Sequence, residues 1–353
     1  MVALNLKKDV VTLTAALVDI ESVSLNEQQI ADMVETQLNK LTHLTVERDG
    51  HTLVARTELG RDQRVVIAGH LDTVPVNDNL PSRLDGDILW GLGSCDMKGG
   101  VAVALRLAQT VKAPTRDVTY VFYDGEEIAH EFNGLGRIAR ERPELLAADF
   151  AILMEPSDAI IEAGCQGTIR ADIITRGERS HSARSWMGEN AIHAASPILQ
   201  RLVGYASRWV EIDGLTYREG LNAVGISGGV AGNVIPDEAR VTVNYRFAPD
   251  QSEEQAIEHL HQVFVGFEIE VTDSAPGALP GLHVEAAAAF VAAMGGEPKP
   301  KFGWTDVAQF TQLGIPAVNY GPGDPILAHK ADEHVPIAQL IEIEEKLRTW
   351  LTA

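Results

Sequence analysis

The sequence predicts an α/β fold: a main domain with a mostly parallel sheet flanked by helices, interrupted by a smaller ferredoxin-like α+β domain. Three observations predict it. Short apolar runs each lead into a loop that holds a potential metal ligand. Segments of helical period alternate with those runs, as expected where crossover helices join parallel strands. Between residues 168 and 276 the order becomes β-α-β-β-α-β, the split-βαβ pattern.

Each element has its own warrant. Leu6, Val10, Leu13 and Leu17 recur at helical spacing over residues 6–20. Ser22-Val23-Ser24 breaks that pattern, and Asn26 is placed to cap a second helix reaching Leu41. Residues 45–48 and 52–57 read as strands about an Asp49-Gly50 turn. Val65-Val66-Ile67-Ala68 is the next strand and runs into Gly69-His70-Leu71-Asp72. A loop rich in Gly, Asp and Pro follows, then a helix over about residues 97–111, with Asp96 just before it. Taken alone, Asp96 reads as an N-cap, a position Asp favours. Residues 118–123 form a strand that runs into Asp124-Gly125-Glu126-Glu127. Residues 151–154 run into Glu155-Pro156, and residues 317–320 into a Gly/Pro loop that reaches His329.

In the inserted segment, residues 168–174 are a strand and residues 176–185 a polar loop. A helix over residues 190–205 precedes strands at 222–227 and 239–247. A second helix, 253–264, leads to a strand in which Phe267, Ile269 and Val271 alternate. Pro276, Gly277, Pro280 and Gly281 mark the return. The expected domains are 1–167 with 277–353, and 168–276.

Composition narrows the function. The chain has 353 residues and a net charge of −21. That charge argues against nucleic acid and anionic membrane surfaces as partners. Lys7, Lys8 and Asp9 interrupt any apolar N-terminal region, and no stretch approaches the ~20 apolar residues of a membrane span. Cys95 and Cys165 are the only cysteines, too few for a disulfide framework. A cytoplasmic, reducing location is expected.

The chemistry follows from where the ligand-type residues fall. In open α/β sheets, ligands bind beyond the carboxyl ends of the strands. His70, Asp96, Glu127, Glu155 and His329 would thus meet at one sheet edge. His70 and Asp72 are two apart on extended backbone, so their side chains point the same way. Asp72 is placed to accept the second ring N–H of a ligating His70. Glu126 and Glu127 point apart, so one can bind metal while the other faces the attacking water. Asp96 can give one oxygen to each of two ions. Two Zn²⁺, three carboxylates and one hydroxide sum to about zero charge, which suits a partly buried site. Imidazole and carboxylate donors fit zinc, with cobalt or manganese possible. Cys95 reads as a small buried filler, and His181 as a residue of a polar loop. Gly91-Leu92-Gly93 and Gly321-Pro322-Gly323 match no phosphate-binding fingerprint, and no Gly-x-Ser-x-Gly elbow is present.

Together, residues 69–75 (GHLDTVP), 91–100 (GLGSCDMKGG), 124–127 (DGEE), Glu155-Pro156 and Ala328-His329-Lys330 resemble the dinuclear-zinc aminoacylase/carboxypeptidase family. They span most of the chain in the family's order. Shorter pieces, 232–236, 244–247, 303–306 and 320–324, resemble most the actinobacterial desuccinylase branch. Deacetylases, aminoacylases and dipeptidases are its siblings.

The resemblance implies two Zn²⁺ per subunit, with Co²⁺ able to replace them. His70, Asp96 and Glu155 would hold one, and Asp96, Glu127 and His329 the other. It implies amide hydrolysis by a metal-bridging hydroxide, with Glu126 as general base and then general acid, and Asp72 orienting His70. It implies a cis peptide at Asp96-Met97. The inserted domain would be a lid and dimerisation domain, making a homodimer in which His181 polarises the scissile carbonyl of the partner subunit's site. The substrate would be a small N-acyl amino acid, in the desuccinylase branch one with three carboxylates and one ammonium. Arg246, Asn233, Arg184 and Thr305 are the candidate substrate contacts.

Overall fold

The parallel core of the main sheet forms where the sequence is most continuously apolar. Strand Asp117–Tyr123 is buried at all seven positions, and strand Arg64–His70 at six of seven. Strands buried on both faces need helices on both faces. The computed structural model describes residues 4–353; Met1, Val2 and Ala3, part of the expected first domain and of the N-terminal reading, lie outside the described residues. The chain divides into two compact units. One holds the chain up to Gly164, Pro280–Lys299 and Thr305–Ala353; the other holds Cys165–Leu279 and Pro300–Trp304.

In the first unit the sheet order is Thr45–Asp49, Thr52–Arg56, Asp117–Tyr123, Arg64–His70, Phe150–Leu153, Ala317–Asn319, Glu162–Ala163. Beyond these, Lys299 donates its N–H to Ile161 O at 2.9 Å. The four central strands, Asp117–Tyr123 to Ala317–Asn319, are mutually parallel, and the flanking strands pair antiparallel. The expected mostly parallel sheet is therefore present. Helices Val10–Val18, Lys98–Thr110, Ile337–Thr352 and Glu285–Met294 pack in one group, and Gly134–Glu141 with Val307–Gln312 in another. Helix Ile337–Thr352 buries Leu340, Ile343, Leu347 and Leu351, a helical repeat.

The second unit has a four-stranded antiparallel sheet in the order Gly220–Gly228, Glu238–Phe247, Gly167–Arg176, Glu268–Ala275. With helices after the first and third strands in sequence, this is the ferredoxin-like arrangement expected. Strand Glu238–Phe247 alternates buried and half-buried residues along its length, so one face meets the helices. Ile169, Ile173, Val241, Val243, Tyr245 and Phe247 pack there with Ile198, Leu260 and Phe264.

Several element ends differ from expectation, each for a local reason. The first helix begins at Val10 because Asp9 accepts from Thr12 N at 2.9 Å and caps it. The second begins at Gln28 after Glu27, and Asn26 does not cap it. The helix expected over 190–205 is two, Ala191–Ala194 and Ser196–Val203, with Pro197 in the first turn of the second. Proline lacks the N–H that a continuous helix would use there. Cys95 and Cys165 are buried and remain thiols. Among the described residues, no helix is long and apolar enough to cross a membrane.

Candidate metal centre

All four central strands point their carboxyl ends the same way, and the ligand-type side chains are delivered there. His70 ends its own strand. Glu126 and Glu127 follow Tyr123, and Glu155 follows Leu153 by two residues. Ala68 pairs with Leu153, and Met154 N donates to Ala68 O at 2.8 Å. Continuing that register sets Glu155 beside His70.

Asp96 is not an N-cap. Met97 holds the cap position of helix Lys98–Thr110, and the Asp96 side chain turns to the imidazoles instead. Its Oδ1 lies 3.1 Å from His70 Nε2, and its Oδ2 3.4 Å from His329 Nε2. Glu127 Oε2 lies 2.9 Å from His329 Nε2. One donor atom each from His70, Asp96 and Glu127 can be chosen so that all lie within 4.8 Å of one another. The Asp96-Met97 peptide is cis, as the resemblance implies. His329 reaches the cluster from backbone at φ +65, a left-handed conformation uncommon outside glycine. Its side chain is 52% exposed, whereas His70 is 1% exposed.

Asp72 organises the centre from beneath and is fully buried. His70 Nδ1 lies 3.1 Å from Asp72 O and 3.5 Å from its Oδ1. The N–H groups of Glu126 and Glu127 donate to Oδ1 and Oδ2 of Asp72, each at 3.1 Å. Ser24 Oγ donates to Oδ2 at 2.7 Å. With the His70 Nδ1 proton turned to Asp72, its Nε2 lone pair faces Asp96, the tautomer a metal ligand needs.

The electrostatics are those of a cation site. Burial opposes charge on His70, yet Asp72 and Asp96 carry its ring well above the usual range. Asp96 and Glu127 push the His329 ring up to about 10. Burial works against the Asp96 charge, but His329 and His70 outweigh it and hold the carboxyl well below its ordinary value. Burial, with Glu155, Asp306 and Glu127 adding to it, pushes the Glu126 carboxyl well up against the opposing effect of His70. Two imidazoles and several carboxylates, from the buried His70 to the half-exposed His329, form a donor set that fits divalent metal.

The strand-end peptide carrying Glu155 is held between two glycines. A Cβ at Gly100 would run into Met154 O, and one at Gly321 into Met154 O and Glu155 O. Gly100→Ala is therefore expected to lower stability by about 1–3 kcal/mol through overpacking, and to reduce bound metal. Urea unfolding and metal analysis of the variant check both effects.

Three buried groups around the centre are not among the candidate site residues, although Lys98 and Asp306 lie in segments that carry the resemblance. Asp306 accepts from Asn133 Nδ2 at 3.1 and 2.9 Å. Glu333 Oε1 accepts the N–H groups of Cys95 and Asp96, each at 3.0 Å. Lys98 Nζ donates to Ile20 O at 2.7 Å. Burial pulls the Lys98 ammonium down to about 7 and pushes the Glu333 carboxyl up to about 7. Thr305 is buried, and its hydroxyl donates to Asn319 Oδ1 at 2.9 Å.

The remaining candidates belong to the second unit. His181 is exposed, and its Nδ1 accepts from Ala183 N at 3.0 Å. The neutral ring then carries its proton on Nε2. Ser182 N donates to Asn233 O at 2.9 Å, so His181 and Asn233 lie on adjacent backbone. Arg184 is exposed in the short 3-10 segment Ser182–Met187, which it kinks at φ −134, ψ 47. Arg246 is half-buried on strand Glu238–Phe247, and its guanidinium has no hydrogen-bond or ion-pair partner among the described residues. Burial lowers its pKa.

Comparison with known proteins places the chain in a family. Residues 66–352 match Peptidase family M20/M25/M40. The chain is 56% identical over 351 residues to a protein named DapE in Mycobacterium tuberculosis (strain ATCC 25618 / H37Rv), covering 99% of each. It is 47% identical over 360 residues to the succinyl-diaminopimelate desuccinylase of Corynebacterium glutamicum, covering 99% of this chain and 98% of that one. Among solved structures it is similar to Bacillus subtilis YXEP, described as a dinuclear metal binding peptidase, with TM-score 0.71 and 19% identity. That match covers 97% of this chain and 96% of the other.

Proposed function

Since this chain belongs to peptidase family M20/M25/M40, we propose that it hydrolyses the amide bond of N-succinyl-L,L-2,6-diaminopimelate to succinate and L,L-diaminopimelate. That reaction would serve lysine and peptidoglycan synthesis in the cytoplasm. The observation that carries the reaction class is the convergence of His70, Asp96, Glu127 and His329 beside the half-buried Glu126. Identity of 47% over nearly the full length to the succinyl-diaminopimelate desuccinylase of C. glutamicum supports the substrate.

His70, Asp96 and Glu155 would hold one Zn²⁺, and Asp96, Glu127 and His329 the second, with Co²⁺ as a replacement. Bound there, the ions supply Lewis acidity and bring the pKa of water toward ~7. The protein's own groups do the rest. Glu126, ionised at the start and made a stronger proton acceptor by burial, takes the proton of the attacking water. It then delivers that proton to the leaving amine. Asp72 fixes the direction of Glu126 through its peptide N–H and holds His70 in the ligating tautomer. His181 Nε2–H is an exposed donor suited to the scissile carbonyl oxygen as charge develops there. Arg246, with its fork unengaged, suits a substrate carboxylate. Asn233 and Arg184 stand on the His181 loops and offer further polar contacts, and Thr305 offers its hydroxyl oxygen.

The second unit would serve as lid and dimerisation domain, closing before chemistry. Its edge strand Gly220–Gly228 pairs on one side only among the described residues, and Val224 and Ile226 on it are each 60% exposed. An open apolar edge of this kind is a site for strand-to-strand association. Sedimentation is expected to give about twice the chain mass at micromolar protein; a fully active monomer would remove the dimer.

The test of substrate is kcat/KM of zinc-loaded protein on N-succinyl-L,L-diaminopimelate beside N-acetyl-L-ornithine. A preference of about 10³-fold or more for the succinyl substrate is expected, because a site built to pair a carboxylate rejects an acyl group lacking one. A preference for acetylornithine would instead make the chain a deacetylase with its metal chemistry unchanged.

A further inference from the structure

Glu333 lies four residues after His329 and is 1% exposed. It is bonded at three points to the loop that carries Asp96. Its carbonyl accepts Gly91 N at 3.0 Å, and its Oε1 accepts both Cys95 N and Asp96 N at 3.0 Å. Its own N–H donates to Lys330 O at 3.2 Å, closing the turn that follows His329. Asn79 Nδ2 reaches the same Lys330 carbonyl at 3.4 Å, and Asn79 O accepts Leu92 N at 3.0 Å. The loop of Asp96 and the loop of His329 are 233 residues apart in sequence and come from different strand ends, yet one buried side chain fastens them together.

A solvated Asp-Glu turn would leave this carboxylate in water. Here it takes up two consecutive peptide N–H groups, one of them that of Asp96 itself. Those two groups precede helix Lys98–Thr110, which has no side-chain cap of its own. Left unpaired and buried, each would be strongly destabilising. The same two bonds fix the peptide plane from which the Asp96 side chain departs, and so fix the direction of its two oxygens toward His70 and His329.

We propose that Glu333 is a positioning residue for the metal centre: by holding the Cys95 and Asp96 N–H groups while standing on the His329 loop, it sets the spacing between the two halves of the centre. This rests on the metal-centre reading above. The role belongs to the acceptor geometry of Oε1, so two conservative variants separate it from charge. Glu333→Gln keeps an oxygen at the Oε1 position and loses the charge. Glu333→Asp keeps the charge and draws the acceptor back by one methylene.

The readout is Zn²⁺ affinity, measured by competition with a chromophoric chelator, on variants whose folding is checked by thermal unfolding. Glu333→Asp is expected to weaken Zn²⁺ binding by about 10–100-fold, the usual effect of losing a group that orients a ligand. Glu333→Gln is expected to stay near wild type. The reverse ranking, or wild-type affinity in both variants, would overturn the inference. A wild-type protein that takes up no Zn²⁺ would overturn the centre as well, whereas two tightly bound ions with no effect of either variant would overturn only the role of Glu333.

Discussion

Glu126→Gln is expected to lower kcat by about 10³-fold while leaving bound metal and KM close to wild type. The glutamine fills the same volume and keeps the peptide N–H that donates to Asp72. It cannot take a proton from water or return one to an amine. Burial first, with Glu155, Asp306 and Glu127 adding to it, drives the Glu126 carboxyl away from the ionised form against the opposing effect of His70. A proton carrier needs that ease of protonation, and a permanent ligand does not. An interaction made only in the transition state lowers kcat and kcat/KM together. Steady-state kinetics with metal analysis of the same preparation distinguish this from loss of the centre. A variant with near-normal kcat would remove Glu126 from the chemistry.

Asp96→Ala is expected to reduce kcat/KM by about four orders of magnitude, matching loss of several kcal/mol of Lewis-acid stabilisation. Asp96 places its two oxygens near both imidazoles, His70 at 3.1 Å and His329 at 3.4 Å. Without it the proposed two sets of donors would share no carboxylate, and less negative charge would remain to offset bound cations. Metal content is expected to fall from two ions per chain to one or none. Unchanged metal content in a folded variant would deny Asp96 its place between the two sets.

How much of this was readable in the sequence depends on the distance over which each residue is explained. His70, Glu127 and Glu155 are legible because parallel strands are continuous apolar runs, and such a run ends visibly at a polar residue. The inserted sheet is legible for the same local reason: residues 239–247 alternate, and the strand buries every second residue. His329 is ten residues beyond strand Ala317–Asn319, in a loop with left-handed backbone, so the strand-end argument reaches it only through the Gly/Pro loop and the resemblance strengthens it. Glu333 and Ser24 have no local signal, and Asp306 is marked only by its place in a short resembling piece, since each is explained by a partner brought close by folding. Ser24 and Asp72 are 48 residues apart, and Asn133 and Asp306 are 173. The hairpin Trp209–Ile212 and Leu215–Arg218 turns at Asp213-Gly214, both with positive φ. Asp-Gly is a strong hairpin signal, but the flanking strands are only four residues each and half exposed, too short for alternation to stand out.

The Asp72 carboxylate has a consequence for how this centre can change over evolutionary time. One side chain receives the His70 edge, the Glu126 and Glu127 peptides and the Ser24 hydroxyl. Substitutions among groups that share a partner do not add in their effects. A lineage that altered the imidazole first, or the glutamate pair first, would pass through a state in which ligand and proton carrier are both misdirected. Innovation is thereby pushed away from this knot, toward positions that touch the acyl group without touching Asp72.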